Sequence, residues 1–159
     1  MGMRPIVIDG GEAKEKLSLE VGAEAFVDFT KEKDVAAKVI EIADGIGVHG
    51  VVVTAYQAYK TALDYVGNRK GARVMVIALP PAGTVQLGSE PSTFVFKNLH
   101  IIGSLVGTMQ DTAACLEYAR RGLLKPIHEV RGKSQWAESV QQLRRGEIAG
   151  RIVIDFNKD

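Results

Sequence analysis

The sequence predicts an α/β fold in which a parallel β-sheet is covered on both faces by helices. Two observations carry that reading. Short apolar, β-branched runs alternate with stretches whose apolar residues recur at helical spacing. Several of those runs are apolar at every position, which suits strands buried on both faces. With 159 residues, 46% of them hydrophobic and 25% charged, the chain has the size and balance of one packed domain. Disorder and collagen-like repeats are excluded.

Pro5–Asp9 (PIVID) reads as the first strand, and the Gly10-Gly11 pair turns it into a helix on which Ala13, Leu17 and Val21 recur. Gly22 stops that helix. Ala25–Asp28 is a second strand, followed by a helix over residues 32–44 with Val35, Val39, Ile40 and Ala43 on one face. Val51–Thr54 is a buried-type strand, and Tyr59, Ala62, Leu63 and Val66 after it fit a helix. Val74–Leu79 is a further buried strand, halted by Pro80-Pro81. A helical turn from Ser92 to Asn98 then leads into a strand over Leu99–Val106. The last third breaks the rhythm. Helices after Asp111 and after Ser134, each with a polar N-cap candidate, are interleaved with strands near Ile127–Val130 and Arg151–Phe156, where Ile152, Ile154 and Phe156 share a face. These two strands must pair outside the main rhythm.

Charge and chemistry narrow the function. The 20 Lys+Arg against 19 Asp+Glu leave +1, so no bulk attraction for nucleic acid or an anionic membrane is expected. The distribution is uneven: residues 9–45 hold ten acids and five bases, and residues 120–151 hold eight bases and three acids. Without aromatic interleaving, the basic run reads first as a solvated face, with a phosphate-bearing ligand as the alternative. Cys115 is the only cysteine and is read as helix core, while His49, His100 and His128 form no pair at metal-ligand spacing. No metal site is expected. No apolar run is long enough to span a membrane and the amino terminus lacks a signal-peptide pattern, so the expected location is cytoplasmic.

Taken together, IDGGEAKEKLSLEVGAEAFVDF, HGVVVTA, VIALPPAG, GSLVGTMQD, ARRGLLKP and GEIAGRIVIDF resemble the second half of the zinc-dependent medium-chain alcohol dehydrogenases of yeast and fungal type. The resemblance runs from the second strand of that family's dinucleotide-binding domain to its carboxyl terminus. It implies an incomplete Rossmann-like parallel sheet over residues 1–108, lacking the first strand and glycine-rich loop. Residues 109–159 then match the segment that packs on the catalytic domain. Both the zinc ligands and the main phosphate-binding turn of the family fall outside the matching region, so zinc-dependent oxidation by this segment is not expected. Gly45-Ile-Gly47-Val-His-Gly50 spells G-x-G-x-x-G, but it follows a helix and precedes a strand, the reverse of the dinucleotide context.

If dinucleotide binding is retained, the resemblance assigns Asp9 and Lys14 to the adenosine ribose and Arg151 to the pyrophosphate. It places Thr54, Ala78, Leu79, Ser104 and Val106 beside the nicotinamide. Three positions depart from the family pattern: Tyr56 replaces a small residue, Ala78 a glycine and Met109 an arginine. Those swaps favour an apolar pocket of Tyr56, Leu79 and Met109 over a charged pyridinium. Tyr56, His100 and Asp111 are the candidate proton-transfer groups. In the parent topology the lost strand lies between those matching Pro5–Asp9 and Val51–Thr54, so two open edges are expected and must be closed within the chain or by another subunit. A homodimer or higher homo-oligomer that buries the open edges is expected, with the Leu99–Val106 strand, the edge through which the family's dimers join, as the first choice.

Three functions follow. The leading expectation is a repurposed protein that binds an apolar small molecule without a cofactor and, if an enzyme, catalyses isomerisation, cyclisation or elimination. The second is an NAD(H)-binding oxidoreductase fragment. The third is a non-catalytic partner of an intact dehydrogenase.

Overall fold

A computed structural model describes residues 2–159. The chain divides into two compact units, Met1–Leu105 and Val106–Asp159. In the first, the order is β1 (Ile6–Asp9), α1 (Glu12–Glu20), β2 (Ala25–Asp28), α2 (Val35–Ile42), β3 (Gly50–Val53), β4 (Arg73–Val76), α3 (Pro91–Lys97) and β5 (His100–Gly103). All strand pairs are parallel, as the alternation of strand and helix requires. They form two separate sheets, β1-β2 and β3-β4-β5. No described strand bridges β1 and β3, so the chain does not close the expected gap internally.

The helix expected from Tyr59 to Val66 is replaced by two short 3-10 turns, Tyr56–Lys60 and Asp64–Val66. The reason is visible in the spacing. Buried Tyr59, Ala62 and Tyr65 stand three residues apart, and side chains at i and i+3 eclipse in a 3-10 turn but drift around an α-helix. Tyr59 and Ala62 join Val53, Val66, Ala72, Val74 and Leu99 in one apolar cluster, whereas Tyr65 joins Val27 and Val39 in another. Val51 packs against both.

α2 is capped by the Asp34 carboxylate, which accepts from the Ala37 amide at 2.9 Å. The G-x-G-x-x-G lookalike begins just beyond this helix and runs into β3. Gly47 there has φ of 119°, and a Cβ on it would lie 2.0 Å from the Val66 carbonyl oxygen. This glycine serves close backbone approach, not phosphate binding.

The second unit contains α4 (Met109–Arg120), β6 (His128–Gly132), α5 (Trp136–Arg144) and β7 (Arg151–Asp155). β6 and β7 pair with each other in parallel, from His128 opposite Arg151 to Gly132 opposite Asp155. α4 starts earlier than Asp111 because Thr108 is its cap, and a 3-10 turn, Lys133–Gln135, occupies the place of the Ser134 cap. Cys115 is exposed on α4, which corrects its reading as core.

Candidate functional site

The carboxyl end of β1 is the best-organised polar site. The Asp9 Oδ1 accepts from the Gly10 amide at 2.8 Å and from Lys14 Nζ at 2.8 Å. α1 carries Lys14 one turn in from its start, which brings the ammonium back over the strand end. The other carboxylate oxygen has no donor among the described residues. Gly11, with φ of 100°, makes the turn.

Directly across the ladder from Asp9 stands Asp28 at the end of β2. Its carboxylate accepts from the Thr30 amide at 2.9 Å and the Thr30 hydroxyl at 2.6 Å, more weakly from the Gly11 amide at 3.4 Å, and Lys31 lies 3.5 Å away. The bonds from Thr30, hydroxyl first, hold its carboxyl down to about 2. Asp28 therefore remains an anion and ties the two strand-end turns together. Sequence reading passed over it, although an Asp two residues before a Thr at a strand end signals this local turn. It also passed over Phe29, whose ring is 56% exposed and whose atoms would lie 3.4 and 3.5 Å from a Cβ on Gly10. A flat, accessible aromatic surface thus adjoins the Asp9–Lys14 pair.

A second group of expected residues meets at the carboxyl ends of β3, β4 and β5. Val53, Val76 and Gly103 are in register, so Thr54, Ala78 and Ser104 share one end of that sheet. The Ala78 amide donates to the Val53 carbonyl, and the Ala78 carbonyl accepts from the Tyr59 hydroxyl at 2.7 Å. Ser104 donates its amide to Val76. Leu79 is 82% exposed. Tyr56 packs partly buried against the Val53–Tyr59 cluster, which makes it part of the wall.

Of the candidate proton-transfer residues, Tyr56 and His100 share the first unit but do not adjoin. Tyr56 follows the carboxyl end of β3, whereas His100 opens β5 at its amino end, about 10 Å away along the strand direction. Asp111 belongs to the second unit, where its Oδ2 accepts from the Thr108 amide at 2.7 Å and the Thr108 hydroxyl at 2.8 Å. The Thr108 hydroxyl in turn accepts from the Asp111 amide, completing a capping box. Those bonds lower the Asp111 pKa, the backbone amide most strongly, and fit it for capping instead of proton transfer. Of the residues expected to line an apolar pocket, Tyr56 and Leu79 belong to the first unit, and Met109 belongs to the second, where it is 85% exposed. A recess of about 230 Å³ does exist, but Glu15, Phe26, Val27, Asp28, Lys31, Glu32 and Lys38 line it.

Val106 and Arg151 also belong to the second unit, and both are exposed. Three of the eight bases of the run there are in ion pairs. Arg120 pairs with Glu117, Arg131 with Glu129, and Arg145 with Glu138 and Glu147. Arg131 also reaches Ser139 Oγ and Gln142 Oε1, so it braces α5 against β6. Among the described residues no group of three or more His, Cys, Asp or Glu could hold a metal ion. No helix among them is long and apolar enough to cross a membrane.

The model of the zinc-binding dehydrogenases matches residues 1–121. The chain belongs to the zinc-binding dehydrogenase family. It is 40% identical over 162 aligned positions to alcohol dehydrogenase 1 of Neurospora crassa, covering 99% of this chain and 44% of that protein. Among solved structures, the alcohol dehydrogenase of the archaeon Aeropyrum pernix superimposes with a TM-score of 0.82 at 22% identity, over 94% of this chain and 42% of that one. The benzyl alcohol dehydrogenase of Acinetobacter calcoaceticus gives 0.78 at 18% identity, over 94% and 42%. At those identities the structures establish the fold alone. The chain spans less than half the length of these relatives. This family membership agrees with the resemblance to part of the medium-chain alcohol dehydrogenases read from its motifs.

Proposed function

We propose that this chain is part of an NAD(H)-binding oxidoreductase of alcohol dehydrogenase type and contributes the adenosine end of the dinucleotide site. The observation that carries the reading is the Asp9–Lys14 pair at 2.8 Å on the carboxyl end of β1. The free Asp9 oxygen is placed to accept a ribose hydroxyl, and its charge disfavours a 2′-phosphate. Lys14 holds the carboxylate in place and offers its remaining protons to the same sugar. Phe29 supplies a face on which a purine can stack. When bound, the dinucleotide would supply the hydride acceptor or donor, while these residues bind and orient its adenosine. Thr54, Ala78, Leu79 and Ser104 lie at the sheet end that would face the nicotinamide.

The reading as a cofactor-independent isomerase, cyclase or lyase is not favoured. Tyr56 and His100 lie at opposite ends of their sheet, Asp111 is spent on its helix cap, and Leu79 and Met109 are each exposed.

Calorimetric titration of the 159-residue chain with NADH and NADPH tests the proposal. NADH should bind and NADPH should bind more weakly. Asp9→Asn should weaken NADH by about tenfold, the cost of a charged hydrogen bond, and narrow the gap between the two cofactors. Phe29→Ala should cost a comparable amount. Absence of NADH binding, or equal binding of both by the unmodified chain, overturns it.

A further inference from the structure

On the reading of an adenosine site at Asp9 given above, we propose that Asp28 is a second residue setting the preference for NADH over NADPH. It acts through its charge and through the donors it occupies, without touching the cofactor. Asp9 and Asp28 stand opposite each other in the β1–β2 ladder. Adjacent strands lie about 4.8 Å apart, so a 2′-phosphate held beside Asp9 comes within range of both charges.

The two carboxylates flank the Gly10-Gly11 turn. The Gly10 amide donates to Asp9 at 2.8 Å, and the Gly11 amide donates to Asp28 at 3.4 Å. An anion at this turn would need those same two N–H groups, and each already serves a carboxylate. Thr30 sits against the turn as well: a Cβ on Gly10 would lie 3.0 Å from its methyl carbon. Its amide and its hydroxyl both donate to Asp28 Oδ1. Asp28 thus fills the place that an incoming phosphate would take.

Water treats the two carboxylates differently. The Asp9 side chain is 42% exposed and pairs with Lys14 at 2.8 Å, whereas that of Asp28 is 9% exposed and its cation, Lys31, stands 3.5 Å away. The charge of Asp28 is therefore the less screened of the two. The Thr30 bonds keep it ionised wherever a 2′-phosphate is. The recess beside it sets the carboxylates of Glu15, Asp28 and Glu32 against the ammonium groups of Lys31 and Lys38. Negative charge prevails there while Asp28 is present, and the balance is even without it.

Titration of the 159-residue chain with NADH and NADPH, in the parent, Asp28→Asn and Lys31→Gln, tests this. Asp28→Asn keeps an oxygen for the Thr30 donors and loses the charge. It should tighten NADPH about tenfold while NADH stays within about twofold, a change of one unit charge at this separation. Lys31, 63% exposed, can be changed without cost to folding, and Lys31→Gln should weaken NADPH about threefold with NADH unaltered. Should Asp28→Asn not fold, Lys31→Gln decides. A purely structural Asp28 would weaken both cofactors alike in Asp28→Asn, and that result overturns the proposal. So does an NADPH affinity that neither substitution moves. Absence of NADH binding by the parent removes the adenosine site and this role with it, whereas NADH binding with a preference indifferent to Asp28 removes this role alone.

Discussion

At the scale of single residues, Asp28 and Gly47 do more for the fold than the residues singled out for chemistry. The Asp28 carboxyl titrates at about 2 in the folded chain, against about 4 in an unfolded one. The stability it confers is therefore complete above about pH 4 and is lost as pH falls toward 2. Melting temperatures measured across that window should fall with acid in the parent and fall less steeply in Asp28→Asn, which should also be less stable near neutrality. Gly47 is constrained twice, by its φ of 119° and by the Val66 carbonyl at 2.0 Å from any added Cβ. Gly47→Ala should cost about 3 kcal/mol or more, measured by denaturant unfolding, because backbone and not a flexible side chain occupies the space. By contrast, Gly83 has a positive φ of 76° with open space around it, so its substitution meets backbone strain alone.

At the scale of elements, the capping box of α4 links a local motif to the stability of the second unit. Thr108→Ala removes the acceptor for the Asp111 amide and one donor to its carboxylate. The expected loss is about 1 kcal/mol by urea denaturation. Asp111→Asn should cost less than that, since an amide oxygen can still accept from the Thr108 backbone. The boundaries of most elements lay close to where periodicity put them: α2 ends two residues before the expected stop, and β4 is shorter than the apolar run Val74–Leu79. The clear failure was the stretch after β3. Its apolar residues fit a helical pattern loosely, but their spacing of three, and not of three and four, was the signal for 3-10 geometry.

At the scale of the whole molecule, the exposed apolar residues are the outstanding feature. β5 is exposed along its length, and Val95 and Phe96 of α3 stand in solvent near it in the same unit. Its outer edge is unpaired among the described strands. We propose that two copies associate through β5, as the family resemblance implies, burying Ile101 and Ile102. Sedimentation at micromolar concentration should show a dimer, and Ile102→Asp should return it to a monomer with its circular dichroism retained.

The alternation of β-branched runs with helical spacing settled the α/β class and the parallel direction of the strands, because buried strands and amphipathic helices must each match their own period. The Asp9-Gly-Gly turn was legible for the same local reason, a strand end and a turn within three consecutive residues, whereas Lys14 was implied only by the family resemblance. Tertiary structure alone decided what depends on distant segments. It separated β1 from β3, and it paired β6 with β7. It placed His100 at the opposite end of the sheet from Tyr56, and it spent Asp111 on a helix cap. Periodicity reports which face of an element is buried, but which neighbour buries it is set by long-range packing that no local pattern records.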